Sequence, residues 1–384
     1  MRNEIRGIAV DNGGSEVRVM DGMNPVLEDM IKLKNDFVSI KEKDFRVKEV
    51  AEPAKLCRVL EAPNPDFMGI FAQGLTGKAY EGQVVAISSQ KEKTADPNYY
   101  KQFIFAVAQD ALKAWIQSGG YSMYSNGNSE SQQHPDIADS YDYCIVACIP
   151  IQEFSGAKDC AGLLKNTLQG HYVVEFPLLD KKPVISFNIK AEFMGAAPEG
   201  GIAVKALKDQ LEEDDISLLI DMGCVTTDIA LFQGTHLLGR VSSVKFASST
   251  LVANIRAVLA DEGYFVSEAQ AENVLIAKRV KDGHESVDVS AIVEEQSRNF
   301  VRNYLQNEII GILNANHVNA RQVQNFVPIG ASFNNPESNA LISEIIACAD
   351  LQKAKLCILA DDLRYVNIQQ ASRFVKKFVK RAKA

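Results

Sequence analysis

Two turns of one chemical design stand about two hundred residues apart in this chain. At Asp11-Asn12-Gly13-Gly14-Ser15 the apolar run Ile5–Val10 ends in an aspartate, two glycines and a hydroxyl residue. Two glycines let backbone N–H groups close on an anion such as a phosphate. Ser15 adds a hydroxyl donor, and Asp11, leaving its strand at the turn, is placed to orient water around Mg²⁺. Arg18, two strand positions from Glu16, is placed to face the same phosphates. The second turn follows the apolar strand Leu218–Ile220. Asp221, Gly223, Cys224, Val225, Thr226 and Thr227 lead there into the apolar run that closes at Phe232. One such hairpin is an ordinary tight turn. Two of them suit one nucleotide held between two related halves, or are two unrelated hairpins.

Two further segments carry chemistry. In Phe326-Val327-Pro328-Ile329-Gly330-Ala331-Ser332 a strand ends where backbone can press against a flat ring or an α-phosphate. In Ala197-Pro198-Glu199-Gly200-Gly201, Glu199 precedes a helical stretch at 202–211, where a carboxylate can polarise an attacking water. The alternative for Glu199 is an acid at a helix N-terminus that interacts only with the helix dipole. Gln73-Gly74-Leu75-Thr76-Gly77-Lys78-Ala79 resembles a P-loop superficially. It lacks the first glycine (Ala72) and the final Ser/Thr (Ala79), so it reads as a loop.

The elements that must position these residues alternate between strand and helix, which argues for an α/β architecture. Ile5–Val10 and Val17–Met20 form one hairpin; Leu218–Ile220 and 226–232 form another. Residues 27–97, with many charges and four prolines in 53–97, read as a small subdomain of short strands and loops. Asn98–Ser118 has helical periodicity, with Phe103, Val107, Ala111, Leu112 and Trp115 on one stripe. The polar stretch 119–140 reads as a surface loop or linker. Strands are predicted at Tyr143–Ile149, Tyr172–Phe176, Val184–Phe193, Asn325–Ile329 and Lys355–Leu359. Helices are predicted at Lys158–Gln169, Ser249–Ala260, from Ser267 with Gln270 placed for a capping box, Ser290–Asn314, Pro336–Ala349 and Gln369–Lys383.

Composition narrows the class. Of 384 residues, 46% are hydrophobic and 23% charged, enough to bury a large core and too apolar for a disordered polyelectrolyte. No run reaches the ~18–20 apolar residues of a membrane span, and no signal-peptide core opens the chain. The net charge of −8 argues against broad nucleic-acid binding. Seven scattered cysteines without a CxxC read as reduced thiols of a cytoplasmic protein. The five histidines form no close metal-ligand pair.

In order and spacing these segments resemble the actin-like ATPase superfamily, and within it the ParM-like bacterial plasmid-segregation actins. Asp11–Ser15 is similar to the first phosphate loop of that superfamily, 220–228 to the second, and Gly330, Ala331 and Ser332 to its adenosine motif. Ala271-Glu272 with Lys278 resembles the helix beside the adenosine. Val146–Phe154 resembles the strand that ends in Leu-Pro in the ParM-like branch, and Pro198-Glu199 its Pro-Glu pair. The second loop departs from the pattern, with Cys224 and Val225 where glycines are usual. Arg18 stands where a lysine is usual, which keeps the charge but changes its geometry.

The resemblance implies an actin-like (ribonuclease H-like) two-domain α/β fold with a nucleotide cleft between the domains, each carrying a smaller subdomain. Domain I would cover 1–195, with a subdomain at about 27–97 and the C-terminal helix within 360–384 packing back on it. Domain II would cover 196–359, with a subdomain at about 246–325. ATP, with GTP as the alternative, and Mg²⁺ would be the cofactors. Asp11 and Asp221 would hold hydrated Mg²⁺, and Glu199 would align the attacking water. The implied function is an ATP-dependent filament that joins head-to-tail and segregates plasmid DNA through a ParR-type adaptor, touching DNA only indirectly and no membrane. The alternatives are a small-molecule kinase, for which no catalytic aspartate or polyol pocket stands out, and a non-polymerising ATPase. The basic, Phe/Val-bearing C-terminal helix keeps open a membrane-targeted scaffold; its other reading is a helix packed on the first domain.

Overall fold

A computed structural model describes residues 4–13, 16–34, 37–40, 55–73, 83–85, 92–119, 139–156, 159–177 and 185–382. Gly14 and Ser15, residues 74–79 of the loop dismissed above, and 120–138 of the polar stretch lie outside the described residues. The chain divides into two compact units. Unit 1 is Met1–Ala197 with Ile368–Ala384, and unit 2 is Pro198–Asn367.

In unit 1 the described strands form one sheet in the order β3-β2-β1-β8-β10-β9-β5-β6-β4-β7. The first three are β1 (Glu4–Asn12), β2 (Glu16–Asp21) and β3 (Ile31–Lys34). Next are β4 (Phe37–Ile40), β5 (Leu56–Glu61), β6 (Gly69–Gln73) and β7 (Gln83–Val85). The sheet is completed by β8 (Asp139–Ile149), β9 (Gly170–Phe176) and β10 (Ile185–Pro198). The strands of 27–97 thus enter the same sheet as the first hairpin. β1 and β2 pair antiparallel, and β8 lies parallel beside β1. Both β1 and β8 are apolar runs with buried centres, as strands covered on two faces require.

Helix α1 (Pro97–Gln117) starts as its sequence dictates: the Asp96 side chain accepts from the Asn98 N–H, and proline takes the first position. The predicted stripe is buried, and so is Asp110. That carboxylate accepts from the Arg6 guanidinium (2.8 and 3.2 Å) and from the Tyr143 hydroxyl (2.9 Å), which makes a buried charge tolerable. Short helices α2 (Ile151–Ser155) and α3 (Cys160–Leu168) follow.

Unit 2 has a five-stranded sheet ordered β13-β12-β11-β16-β17. Its strands are β11 (Ile216–Met222), β12 (Thr227–Gln233), β13 (His236–Val244), β16 (Val323–Ile329) and β17 (Lys355–Leu356). A separate hairpin pairs β14 (Arg279–Asp282) with β15 (Glu285–Asp288). β11 and β12 are antiparallel, and β16 runs parallel beside β11. The order β13-β12-β11-β16 therefore repeats β3-β2-β1-β8.

The helices of unit 2 differ from the sequence expectation mainly where they end. α4 covers only Gly201–Ala206; the chain turns at buried Leu207 into a 3₁₀ turn at Lys208–Gln210. α5 (Ser248–Asp261) and α6 (Glu268–Ala277) follow, α6 with the expected Ser267/Gln270 capping box. The predicted long helix is α7 (Ser290–Phe300) and α8 (Gln306–Ala315) joined by a π-helical turn at Val301–Leu305. α9 (Ala340–Cys348) begins at the Asn339 cap, not at Pro336, because the Asn339 side chain accepts the Leu341 and Ile342 N–H groups. Strand 355–359 shrinks to the two residues of β17.

The last helix, α10 (Val366–Ala382), begins in unit 2 and continues in unit 1. Val375 and Val379 are fully buried there. Val375 sits against Gly7 and Gly22, and Val379 against Gly7; a Cβ added to either glycine would come within 2.5 Å of a valine side-chain carbon. The packed face is thus a valine stripe, narrower than the expected Phe/Val face. Phe374 and Phe378 are half-buried, and the Lys377 ammonium lies 5.3 Å from the Phe374 ring centroid. Among the described residues no helix is long and apolar enough to cross a membrane.

Candidate functional site

Both turns close in the same way. The Gly13 N–H donates to the Glu16 carbonyl at 3.0 Å, and the Gly223 N–H to the Thr226 carbonyl at 3.0 Å. A Cβ on either glycine would stand 3.2 Å from that same carbonyl oxygen. With Cys224 and Val225 in it, the second turn closes as the first does.

In unit 1, Asp11 and Arg18 face each other across the β1–β2 hairpin. The Arg18 guanidinium lies 3.2 Å from the Asp11 carboxylate and 2.8 Å from that of Glu16. Arg18 is thus an ion-pair partner of Asp11, whereas the sequence predicts Arg18 facing phosphates and Asp11 orienting water around Mg²⁺. The side chain of Asn12 turns into the core. It is fully buried, and its Nδ2 donates to the Tyr99 carbonyl (3.1 Å) at the start of α1. Any contact of Asn12 with an anion is consequently through its backbone.

In unit 2 the turn is braced by its neighbours. The Ser248 N–H and hydroxyl donate to the Gly223 carbonyl (3.2 and 2.9 Å), and the Ser249 N–H to the Cys224 carbonyl (3.0 Å). The Thr227 hydroxyl donates to the Phe246 carbonyl at 2.6 Å, and the Phe246 ring stacks on Tyr304 of the π-helical turn. Gly223, Val225 and Thr226 remain exposed. Asp221 is opposite Asp228 in the β11–β12 register, so two carboxylates share one face of the sheet.

Glu199 is half-buried in the turn between β10 and α4. Gly200 follows with φ +70°, and a Cβ there would strike the Leu219 side chain at 2.4 Å. Asn367, which the sequence reading missed, joins this turn to Asp221. Its Oδ1 accepts the Gly200 N–H (2.8 Å), and its Nδ2 donates to Asp221 Oδ2 (3.0 Å). No local signal marks Asn367; it is one polar residue in the first turn of an amphipathic helix.

Gly330 has φ +111°, and an added Cβ would lie 2.1 Å from the Met222 carbonyl oxygen. The Gly330-Ala331-Ser332 segment thus lies directly against the end of β11, and Ser332 is buried. Asn339 Nδ2 donates to the Ser332 and Asn334 carbonyls (2.8 and 2.9 Å), which ties this segment to the α9 cap. Glu272 and Lys278 lie on α6 and just after it. Glu272 is exposed on α6; Lys278, at φ +54° after α6, donates to Glu294 and to the Ser338 carbonyl, both at 3.0 Å. Lys278, Asn334, Ser338 and Asn339 line a small pocket to which Glu272 and Gly330–Ser332 do not contribute.

The described residues hold no group of three His, Cys, Asp or Glu side chains able to bind a metal. Single carboxylates such as Asp221 fit a hydrated Mg²⁺ carried mainly by phosphates, and do not fit an all-protein cage. Asp11 is also engaged by Arg18, which it shares with Glu16.

No protein-family model matches the sequence, and no curated protein matches it. Solved structures do. Alp7A, an actin-like protein, has a TM-score of 0.68 at 14% identity, with 99% of each chain covered. An archaeal actin homologue has 0.65 at 16% identity, covering 97% of this chain and 99% of its own; it is also solved in complex with ADP. Bacillus thuringiensis ParM with AMPPNP has 0.61 at 12% identity, covering 98% and 99%. A 15-stranded ParM filament from Clostridium botulinum has 0.55 at 13% identity, covering 98% and 100%. The match runs over nearly the whole chain in every case, and the chain accordingly has the actin-like fold.

Proposed function

We propose that the chain binds ATP with Mg²⁺, assembles head-to-tail into filaments, hydrolyses the nucleotide in the polymer, and segregates plasmid DNA through an adaptor protein. The observation that carries this is the pair of identically closed glycine turns, each at the end of an apolar strand two residues after an aspartate. In this reading the backbone N–H groups not spent on closing each turn take phosphate oxygens. Gly330, pressed on Met222, brings the adenosine motif to the second turn. Asp221 holds the water shell of Mg²⁺, and Glu199 aligns the attacking water. Bound Mg²⁺ neutralises charge on the phosphates. Catalysis is then chiefly positioning and electrostatics.

The ADP and AMPPNP complexes of proteins with this fold support nucleotide binding, and the C. botulinum filament supports self-assembly. A head-to-tail contact joins two different surfaces and so propagates into a polymer. The acidic chain, at −8, fits a filament that reaches DNA through an adaptor. Binding of a fluorescent ATP analogue, with and without Mg²⁺, tests the site. Sedimentation with ATP, GTP, ADP or no nucleotide tests assembly. Binding without pelleting would favour a non-polymerising ATPase or a kinase.

A further inference from the structure

We propose that Asn367 is a positioning residue that sets the Asp221 carboxylate and the Glu199 turn in one geometry; this rests on the roles proposed above for those two acids. A side-chain amide carries an acceptor at one end and donors at the other, and Asn367 uses both ends. Its oxygen takes the Gly200 N–H at 2.8 Å and its nitrogen gives a hydrogen bond to Asp221 at 3.0 Å. One amide thus spans the two segments that carry the acids.

Three features make this more than a chance contact. Gly200, next to Glu199, has φ +70° and packs on Leu219, two residues before Asp221 on β11. The turn is therefore held at the end of that strand by packing as well as by the amide. Asp221 stands opposite Asp228, and like charges directly across a strand pair repel. A neutral donor orients Asp221 without cancelling the charge a cation needs, which an arginine or lysine would do. Finally, Asn367 is the second residue of the seventeen-residue helix α10. Its backbone is set by a regular element whose first residue, Val366, is buried.

Asn367→Ala and Asn367→Asp test the proposal in the full-length protein, alongside Glu199→Ala and Asp221→Ala. Removing the amide should lower kcat about tenfold or more. Affinity for a fluorescent ATP analogue in EDTA should stay within about twofold, while the Mg²⁺ needed for half-maximal tightening rises several-fold. The order of the two variants is decisive. Asp matches Asn in size and still accepts from Gly200, but it sets a second carboxylate against Asp221. If Asn367 positions by hydrogen bonding, Asp is at least as slow as Ala. If it only fills space, Asp is the better enzyme, and the proposal is overturned. Melting curves identify a variant that fails to fold; should Ala be one, wild-type kcat and Mg²⁺ dependence in Asp overturn the proposal alone. Wild-type hydrolysis in Glu199→Ala and Asp221→Ala would remove the reading on which it stands. Slow acid variants beside normal Asn367 variants would leave that reading and remove this one.

Discussion

Gly330→Ala should damage unit 2 in two separable ways. Gly330 sits at φ +111° and ψ 158°, a region that L side chains rarely enter; forcing alanine there costs roughly 1–3 kcal/mol. The new Cβ would also stand 2.1 Å from the Met222 carbonyl oxygen and 2.9 Å from its carbon. Both are backbone atoms, so no rotamer change relieves the clash. The ends of β11 and β16 must separate by about 1 Å to restore normal contact, an overpacking cost of roughly 1–3 kcal/mol. The sum is about 4 kcal/mol. Gly263→Ala is the control. Gly263 has φ +91° with nothing within 4 Å of its Cβ, so only the conformational part applies, about 2 kcal/mol. Urea denaturation monitored by far-UV circular dichroism gives the two stabilities, and titration with a fluorescent ATP analogue gives the two affinities. Gly330→Ala should be the less stable by about 2 kcal/mol and should bind at least tenfold more weakly, because a 1 Å displacement reaches Asp221 and Gly223. Gly263→Ala should bind like wild type. Equal stability and equal affinity in the two variants would refute the close approach of Gly330 to Met222.

Further outcomes follow from the same geometry. Glu199→Ala should slow phosphate release from ATP while leaving nucleotide affinity within about twofold, whereas Asp221→Ala should weaken binding in Mg²⁺ far more than in EDTA; single-turnover assays and fluorescence titrations separate the two. Val375→Ala, in a fully buried site, should cost roughly 2–3 kcal/mol by lost burial and a residual cavity, read from the urea midpoint; an unchanged midpoint would contradict the packing of α10 on Gly7 and Gly22. Burial pushes the Cys348 thiol from 9.0 up to about 11 and the Tyr100 hydroxyl from 10.0 up to about 12. Both values are raised on folding, so the stability they contribute is complete below pH 9 and is lost as the pH climbs from 9 to 12. Urea midpoints should fall over that window; a flat profile to pH 11 would contradict it.

What could be read from the sequence was local. Apolar runs broken by Asp-X-Gly located both hairpins, because strand and turn chemistry are written within a dozen residues. The Asp96-Pro97 start of α1 and the Ser267/Gln270 box are of the same kind. The likeness of the units in sheet order was visible only as a weak echo of the two turns. What escaped depends on residues far apart in the chain. Asn367 meets Asp221 across 146 positions. Gly330 is defined by the carbonyl of Met222, and Lys278 by Glu294 and Ser338. The ion pair of Arg18 with Asp11 illustrates a subtler difficulty. Hairpin register places the two opposite each other, and opposite charges at that spacing bind one another as readily as they bind a third group. Helix ends were misjudged where a buried residue, such as Leu207, or a cap such as Asn339 outweighed the periodicity.

The measurement closest to the central claim is right-angle light scattering of the purified protein at several micromolar, with phosphate release followed in the same cuvette. ATP with Mg²⁺ should produce a rise that decays as phosphate appears, and EDTA should abolish it. Glu199→Ala should produce a rise that persists. A flat trace with ATP and with GTP, together with no binding of either nucleotide by fluorescence titration, would contradict the account.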